Sequence, residues 1–412
     1  MKLTQLEPWQ KNTVLFLSSQ TVSLFGSSLV QYAIMWYITL ETQSGVMMTI
    51  SIICGFLPTL LLSPFAGVWV DRYNRKVLIM ISDSLIALAT LILAILFMTG
   101  HGAIWLLFAV SAVRAFGTAV QIPAVSAFLP QIVPMDKLMR VNAVNGSIQS
   151  FVMLASPMVS GALFTVTSIE KIFFIDVFTA LAAVLILLFF LSVPAHAKAA
   201  GKQKTGYFRD MKEGLHYIRT HGYVKRFFVF CTFFFILVVP VAFLTPLQVA
   251  RSFGGDVWRL TAIEVAFSLG MILGGMIIAA WGGFKNKVHT MAFSGLATGI
   301  VTFALGIIPN FWVYLMVMGL GGITVPFFNT PSMVLLQEKV DPDYLGRVFG
   351  VLTMISSSML PLGMLVFGPL ADIIKIEWLL LGTGLLMFMQ AFFLLGSKVL
   401  VEAGKPTLKP TG

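Results

Sequence analysis

The stretch GVWVDRYNRK, from Gly67 to Lys76, interrupts a long run of apolar sequence. Apolar residues dominate from Gly45 up to this stretch and again from Val77 onward. Between the two runs, five ionisable or strongly polar side chains occupy the six positions 71–76. The pattern predicts two apolar helices that are joined by a short and strongly polar turn.

The composition of the whole chain points to lipid as its solvent. Of 412 residues, 58% are hydrophobic and only 11% are charged, whereas soluble domains carry about 25% charged residues. In lipid, backbone polar groups must be satisfied within helices or within a closed barrel. The apolar runs are continuous and about twenty residues long, which is the length of a spanning helix and not of an alternating barrel strand. The sequence therefore predicts an all-α integral membrane protein.

Twelve apolar runs predict twelve transmembrane helices. They cover roughly 13–39, 44–70, 77–99, 103–127, 139–166, 170–193, 224–249, 258–281, 287–308, 311–335, 345–371 and 377–399. We expect an N-terminal six-helix bundle (1–193), a cytoplasmic linker with an amphipathic helix (194–223), and a C-terminal six-helix bundle with a short cytoplasmic tail (224–412).

The basic residues are distributed unequally between the two sides of the predicted membrane. If both termini are cytoplasmic, the cytoplasmic segments hold 22 of the 27 Lys and Arg residues, the outer loops hold four, and Arg114 lies inside a helix. This is the asymmetry that the positive-inside rule expects. It explains the net charge of +10 without a nucleic-acid partner, for which a soluble basic face would be needed.

Other ligand classes have no support in the sequence. The two cysteines, Cys54 and Cys231, lie within apolar runs, and the five histidines show no ligand-like pairing, so we expect no metal and no cofactor. The sequence contains no Gly-x-x-x-x-Gly-Lys-Ser/Thr segment, so ATP is not the expected energy source. An enzyme is not expected.

The polar stretch 194–223 contains an amphipathic pattern. Phe208, Met211, Leu215 and Ile218 recur at helical spacing with basic residues around them. The pattern predicts a helix on the inner leaflet. A simple tether between the two bundles is the alternative interpretation.

The two halves of the chain also share an internal repeat. LPQIVPMDKLMRV at 129–141 aligns with LQEKVDPDYLGRV at 336–348, at a constant offset of 207 residues. YNRKV at 73–77 and FKNKV at 284–288 form a weaker pair. Two parallel six-helix halves with a substrate site at mid-membrane characterise one large class of transporters.

The polar turn resembles the signature loop between helices two and three of the major facilitator superfamily. Gly67, Asp71, Arg72, Arg75 and Lys76 match every position of that pattern. The resemblance implies twelve helices in two pseudo-symmetric bundles, and a monomeric secondary transporter in the bacterial cytoplasmic membrane.

Two further segments resemble a branch of this family. SPMVSG resembles the helix-five element of drug:proton antiporters, with Ser156 and Ser160 in place of two glycines and with Pro157 and Gly161 retained. RAFGTA in helix four resembles the Arg-x-x-x-Gly region, although Gly117 comes one residue early. The overall pattern is similar to the macrolide-efflux branch of bacterial exporters.

The resemblance suggests a conformational role for the loop. Gly67 is expected where helix two packs closely on a neighbour, and the basic residues are expected to face anionic headgroups. Asp71 would latch onto the N-terminus of helix eleven, which begins near Asp341 and Pro342, because a helix N-terminus carries partial positive charge. The alternative is that the loop only fixes topology.

Ionisable residues inside the spans are candidates for ion coupling, since charge in a bilayer is costly. Arg114 lies near the middle of helix four and must face a cavity or a carboxylate. Glu264 in helix eight has no neighbouring cation in the sequence and is the favoured cavity carboxylate.

Two further carboxylates are weaker candidates. Asp176 in helix six is either a coupling residue or a structural cap near the outer surface. Asp83 in helix three is expected to pair with Arg75 or Arg140 rather than to carry a proton.

Polar and aromatic residues of several helices are candidates for the substrate cavity. They are Gln31, Tyr32, Gln121, Gln149, Phe235 and Asn329. The chain also has 22 Met and 36 Phe residues, which suit loosely bound amphipathic ligands.

The predicted function is proton-coupled efflux of small amphipathic drugs, such as macrolides. An exporter of a native metabolite such as a siderophore, an importer of the same fold, and a non-transporting membrane scaffold or receptor are the alternatives. A scaffold has no need of Arg114 at mid-membrane, which argues against the last of these.

Overall fold

A computed structural model describes residues 7–191 and 207–405. Within these residues the chain folds into helices and contains no strands. The helices are α1 (Pro8–Thr42), α2 (Gly45–Arg72), α3 (Arg75–Met98), α4 (Ile104–Ile132), α5 (Met135–Val166), α6 (Ile169–Leu185), α7 (Tyr207–Thr220), α8 (Gly222–Leu237), α9 (Thr245–Ser252), α10 (Val257–Trp281), α11 (Lys287–Leu305), α12 (Phe311–Lys339), α13 (Pro342–Ile373), α14 (Ile376–Gly396) and α15 (Lys398–Ala403). The predicted all-α class is confirmed.

Twelve helical segments of the described chain are long and apolar enough to cross a membrane. The predicted number of spans is therefore confirmed. Their ends differ from the predicted ends by a few residues, because polar residues continue several helices beyond the apolar run. The seventh span combines α8 and α9 with a π-helical turn at Pro240–Leu244. Proline has no N–H to donate, so it interrupts the regular helical hydrogen bonds at this position.

The chain separates into two compact units. Unit 1 contains residues 1–42 and 50–203, and unit 2 contains residues 43–49 and 204–412. In unit 1, Phe16 of α1 and Phe128 of α4 are buried together, with ring centroids 4.8 Å apart. Both rings belong to a core that also includes residues of α2, α3 and α5.

Unit 2 relies on glycine for its closest helix contacts. A Cβ atom on Gly270 of α10 would lie 2.0 Å from the carbonyl oxygen of Gly319 in α12. A Cβ atom on Gly384 of α14 would lie 2.5 Å from the backbone nitrogen of Phe303 in α11. Small residues let helix backbones approach each other in membranes, where packing replaces the hydrophobic effect between helices.

Helix boundaries follow the internal repeat. The starts of α4, α5 and α6 and the ends of α4 and α5 each have a counterpart 207 residues later, in α12, α13 and α14. Ile104 thus corresponds to Phe311, and Val166 corresponds to Ile373. The offset found in a short polar segment therefore holds through three successive helices of each unit.

The helix predicted in the central linker is present as α7, but part of its apolar face contacts protein. Tyr217 and Ile218 are buried in unit 2, and the Tyr217 ring stacks on Tyr344 of α13 at 4.7 Å. Ile218 therefore does not face lipid as the sequence suggested, because the core around α8 and α13 covers it. The first part of the predicted linker, 194–206, and the end of the tail, 406–412, lie outside the described residues.

The first turn of α2 is held within unit 2 by Asp372 of α13. The carboxylate of Asp372 accepts hydrogen bonds from the backbone N–H groups of Gly45 (2.7 Å) and Val46 (3.0 Å) and from the Ser44 hydroxyl (2.7 Å). Arg251 of α9 donates to the same carboxylate at 2.7 Å. A carboxylate at a helix N-terminus satisfies free N–H groups and opposes the positive end of the helix dipole.

Candidate functional site

The signature turn is shorter than the sequence suggested, since α2 continues to Arg72 and α3 begins at Arg75. Asn74 caps α3 by accepting hydrogen bonds from the N–H groups of Lys76 and Val77. The expectation of close packing at Gly67 is wrong, because a Cβ atom at this position would meet nothing within 4 Å. Gly67 is an exposed residue within the last turns of α2.

Two basic residues of this turn bind carbonyl groups inside unit 1. Arg75 donates to the carbonyl oxygens of Val70 (3.3 Å) and Ala127 (2.8 Å). The ammonium group of Lys76 donates to the carbonyl oxygen of Leu191 at 2.7 Å. These two side chains therefore do not point at lipid headgroups as expected, because free carbonyls near helix ends attract cations. Arg72 is exposed.

Asp71 is the acidic residue of the turn. It lies 3.9 Å from Arg75, and its side chain is 46% exposed. Such an exposed pair contributes little stability. The helix that the latch hypothesis invokes begins at Pro342, which leaves Asp341 in the capping position. Whether Asp71 meets that helix end during transport stays a prediction.

Arg114 of α4 lies in a buried polar network of unit 1. Its guanidinium donates to the carboxylate of Asp176 in α6 and to the Thr90 hydroxyl of α3, each at 2.5 Å. It also donates to the carbonyl oxygen of Ser27 in α1 at 2.9 Å, and the Ser27 hydroxyl bonds Asp176 in turn. Arg114 and Asp176 are almost fully buried. The Arg114–Asp176 ion pair and its hydrogen bonds therefore connect α1, α3, α4 and α6.

Asp83 of α3 is a second buried carboxylate of unit 1. One of its oxygens accepts hydrogen bonds from the Ser23 hydroxyl (2.9 Å) and from the Gln121 amide (2.5 Å). The other oxygen is buried without a partner among the described residues. The predicted pairing with Arg75 or Arg140 is wrong, because uncharged donors of α1 and α4 occupy the carboxylate and Arg75 turns to carbonyl groups instead.

The antiporter-like element lies where α5 packs on α1. Ser156, Pro157, Ser160 and Gly161 are all buried. The Ser160 hydroxyl donates to the carbonyl oxygen of Leu29 in α1 at 2.9 Å. A residue at this contact must therefore be small, and serine adds a hydrogen bond that glycine could not make.

A cavity of about 280 Å³ lies within unit 2, between α8, α10, α11 and α12. Most of its wall is apolar. Aromatic residues line it from three helices, namely Phe234, Phe235, Phe267 and Phe328. Hydroxyl groups line another side, namely Thr245, Ser294, Thr298, Thr302 and Thr324.

Glu264 of α10 is the only ionisable residue among those that line this cavity. No hydrogen bond or ion pair to its carboxylate is found within the described parts of the chain. Phe235 and Asn329 also line the cavity, so the structure brings three of the predicted residues together.

The other predicted cavity residues belong to unit 1 and do not line this cavity. Gln121 bonds Asp83, and Tyr32 contacts the Trp36 ring at 5.5 Å between centroids. Gln31 and Gln149 are exposed. Any role for these four residues in substrate binding stays a prediction.

The row of hydroxyl side chains on α11 was not predicted from the sequence. Ser294, Thr298 and Thr302 are spaced by four residues, so they lie on one face of the helix. The Ser294 hydroxyl bonds the carbonyl oxygen of Thr324 at 2.6 Å, and Thr302 Oγ1 is buried without a partner in the described chain. The four-residue spacing of these hydroxyl residues within an apolar run could have indicated a polar face on this helix.

A metal centre finds no support in the described residues. No group of three or more His, Cys, Asp or Glu side chains in residues 7–191 and 207–405 is arranged to hold a metal ion.

Relatives of known sequence or structure resemble this chain over most of its length. Macrolide efflux protein A of Streptococcus pyogenes is 29% identical over 382 residues, which cover 92% of this chain and 94% of that protein. The staphyloferrin A transporter of Staphylococcus aureus is 23% identical over 94% of this chain and 97% of that protein. A crystal structure of a bacterial homologue of the human lysosomal transporter Spinster matches with a TM-score of 0.69 and 14% identity, over 98% of this chain and 100% of that chain.

The family of this chain is shown by a sequence match that covers most of its length. A sequence model described as Major Facilitator Superfamily matches residues 16–364, a range that includes the signature turn, Arg114 and the cavity. Twelve apolar helices and the fold of the similar structures agree with this match. The chain is therefore a multi-pass membrane transporter that belongs to the Major Facilitator Superfamily.

Proposed function

We propose that the protein exports amphipathic drugs such as macrolides and is driven by protons that move inward. The observation that carries this proposal is the carboxylate of Glu264, which faces a largely apolar cavity with no partner in the described chain. The 29% identity to macrolide efflux protein A over 92% of the chain supports the direction and the substrate class.

Proton coupling follows from the cost of leaving this carboxylate charged. A charged group in an apolar and partly desolvated site is unfavourable unless it is paired. Desolvation favours the neutral form of a carboxylate, and a nearby cation favours the charged form. A transporter that exposes the same carboxylate alternately to each side of the membrane can therefore load a proton outside and release it inside.

The carboxylates of unit 1 are weaker candidates for the proton carrier. Asp176 already has Arg114 as a close cation, so its charge is compensated without a proton. Asp83 accepts two hydrogen bonds from neutral donors and has one oxygen without a partner among the residues described. We therefore place Glu264 first, Asp83 second and Asp176 third, whereas the sequence alone placed Asp176 before Asp83.

A second candidate function is export of a native metabolite such as a siderophore. The similarity to the staphyloferrin A transporter, at 23% identity over 94% of the chain, supports a siderophore as the alternative substrate. The exposed Asn329 amide of the cavity would suit a polar metabolite as well as a drug.

The proposed location is the bacterial cytoplasmic membrane, with both termini in the cytoplasm and the chain acting as a monomer. The excess of Lys and Arg residues in the segments that are predicted to be cytoplasmic supports this orientation. Lipid surrounds the twelve spans, and the transported partners are the small substrate and the proton.

Drug susceptibility in bacteria that lack their own efflux pumps tests the proposal. Cells with the wild-type chain should tolerate several-fold more macrolide than cells without it, and Glu264→Gln should remove most of this gain. Glu338→Gln is the matched control, because Glu338 pairs with Lys287 at 2.9 Å near a helix end and should leave resistance unchanged. Unchanged susceptibility to every macrolide, with the chain present in the membrane, would contradict the proposed substrate class.

A further inference from the structure

The cavity of unit 2 lies where unit 1 has a buried cation. The internal repeat places Gly321 of α12 in the position that Arg114 occupies in α4, since the two helices begin and end 207 residues apart. Arg114 fills the interior of unit 1 and neutralises Asp176. Gly321 has no side chain and lines the cavity that contains Glu264. Among the described residues, unit 2 therefore has a half-buried carboxylate and a space at this position, but no guanidinium there.

No side chain of the surrounding helices supplies the missing positive charge. Arg259 of α10 pairs with Asp256 at 3.3 Å, and Lys287 of α11 pairs with Glu338 of α12 at 2.9 Å. Lys225 and Arg226 lie near the start of α8 and do not line the cavity. Among the residues described, the cations on these helices thus lie near their ends.

The cavity wall is suited to an organic cation rather than to a bare inorganic ion. Phe234, Phe235, Phe267 and Phe328 present aromatic surface, and the rings of Phe234 and Phe328 stack with centroids 4.8 Å apart. Aromatic faces attract ammonium groups through the ring quadrupole, most strongly where water is excluded. An inorganic cation such as Ca²⁺ would need at least about six oxygen ligands around one point, whereas the cavity offers one carboxylate, with an amide and hydroxyl groups in a largely apolar wall.

The amide of Asn329 gives the cavity a second recognition element. Thr302 Oγ1 has no partner in the described chain, and no hydrogen bond of the Asn329 side chain is found there either. Both residues line the cavity with Glu264. The exposed Asn329 amide can donate to hydroxyl or ether oxygens that lie next to the charged group of a ligand, whereas the Thr302 hydroxyl is buried.

We infer that this cavity binds the ammonium end of the transported substrate, with Glu264 as its counter-ion and the phenylalanine rings around it. This inference rests on the proposed function, since it assigns a substrate class to the same site. A volume of about 280 Å³ lies just below the usual range of ligand pockets, roughly 300–1,000 Å³. The cavity therefore takes one amine-bearing group, and the rest of a large amphiphile lies outside it.

Binding of a matched pair of probes to the purified full-length protein tests the inference. Benzyltrimethylammonium is a permanent cation, and neopentylbenzene has the same shape without the charge. We expect the wild-type protein, in detergent at one fixed pH, to bind the cation at least about 10-fold more tightly, a ratio that corresponds to one charge-paired contact. Ligand-observed magnetic resonance measures both affinities.

Substitutions of single residues distinguish the effect of the Glu264 charge on probe binding from a loss of the folded structure. Glu264→Gln should reduce the preference for the cation to about twofold or less while binding of the neutral probe persists. Glu264→Asp should keep the preference, and so should the control Glu377→Gln, since Glu377 bonds Ser252 outside this cavity. Gly321→Arg should abolish cation binding, because it places a guanidinium where unit 1 has one.

The outcomes distinguish this inference from the proposed function. Equal affinity for the two probes in the wild-type protein, or a cation preference that survives Glu264→Gln, would overturn the inference. Macrolide efflux in cells could still be intact in that case, and the proposed function would stand. Conversely, a clear cation preference without efflux of any drug would support the site and contradict the proposed function.

Discussion

At the scale of single residues, the ionisable groups inside the two units differ in their partners. Arg114 and Asp176 satisfy each other within unit 1, and Ser27 and Thr90 complete their hydrogen bonds. Glu264 has no such partner in the described part of unit 2. A compensated pair holds helices together, whereas an uncompensated carboxylate is available to a proton or to a ligand.

The Arg114–Asp176 pair should behave as a structural unit. Asp176→Asn leaves a buried guanidinium without its counter-charge, and we expect it to lower the free energy of unfolding by about 3–5 kcal/mol. The double variant Arg114→Met with Asp176→Leu should recover much of this loss, because it removes both charges. Thermal unfolding in detergent measures both changes.

An exposed ion pair provides the control for this prediction. Asp136 and Lys137 lie 3.0 Å apart on the surface, with side chains 68% and 51% exposed. Asp136→Asn should leave the melting temperature nearly unchanged. If Asp176→Asn unfolds at the wild-type temperature as well, the pair does not hold α4 and α6 together.

Residue roles were only partly predictable from the sequence. The need of Arg114 for a carboxylate or a cavity follows from its place in an apolar run, but the choice of Asp176 depends on tertiary structure. The partner expected for Asp83 was wrong because Ser23, its actual neighbour, is 60 residues away in the chain. Gly67 was misassigned because a family motif shows which residue is present and not what surrounds it.

At the scale of elements, one set of polar contacts joins helix termini of unit 2. Asp372 at the end of α13 caps the first turn of α2, and Arg251 of α9 binds both Asp372 and the carbonyl oxygen of Gln43. Hydropathy predicts where helices run, but it could not predict this contact, because Asp372 and Ser44 are 328 residues apart.

Removal of the Asp372 carboxylate should release the first turn of α2. Asp372→Ala deletes the acceptor of two backbone N–H groups and the counter-ion of Arg251, and hydrogen bonds to charged groups contribute about 1.5–3 kcal/mol each. Amide hydrogen exchange at residues 45–49 should therefore become at least about 10-fold faster.

Glu377→Gln is the control for this contact. It alters a neighbouring carboxylate that bonds the side chain of Ser252 and should leave exchange at residues 45–49 unchanged. If exchange at these residues is equally slow in Asp372→Ala, other contacts hold this turn.

Asp71 lies at the C-terminal end of α2, away from the Asp372 contact. The family resemblance predicts that it forms a latch with the N-terminus of α13. If it binds the N-terminus of α13 in one state of the cycle, Asp71→Asn removes on the order of 0.3–2 kcal/mol from that state. Transport should fall several-fold while the protein still folds. Spin-label distances between the C-terminal end of α2 and the N-terminal end of α13 should shift relative to the wild type.

Asp136→Asn serves again as the comparison, because Asp136 is an exposed acidic residue in the first turn of α5. It should leave both transport and the measured distances as they are in the wild type. Wild-type transport and wild-type distances in Asp71→Asn would refute the latch.

At the scale of the whole molecule, the chain is a duplicated transporter in which the two units have diverged at their centres. Three helices of each unit keep an offset of 207 residues, and this duplication was readable from one short polar segment. The change from Arg114 in one unit to Gly321 in the other was also present in the sequence, but only the structure shows that a cavity accompanies it. The domain limits at residues 193 and 224 stay a prediction.

Uphill transport driven by a pH gradient tests the central claim most directly. In inside-out vesicles with an acidic lumen, labelled macrolide should accumulate with the wild-type chain. With Glu264→Gln, counterflow of labelled for unlabelled macrolide should persist while pH-driven accumulation is lost, because downhill exchange needs no proton carrier. Accumulation by Glu264→Gln at the wild-type level would contradict the account of Glu264 as the proton carrier.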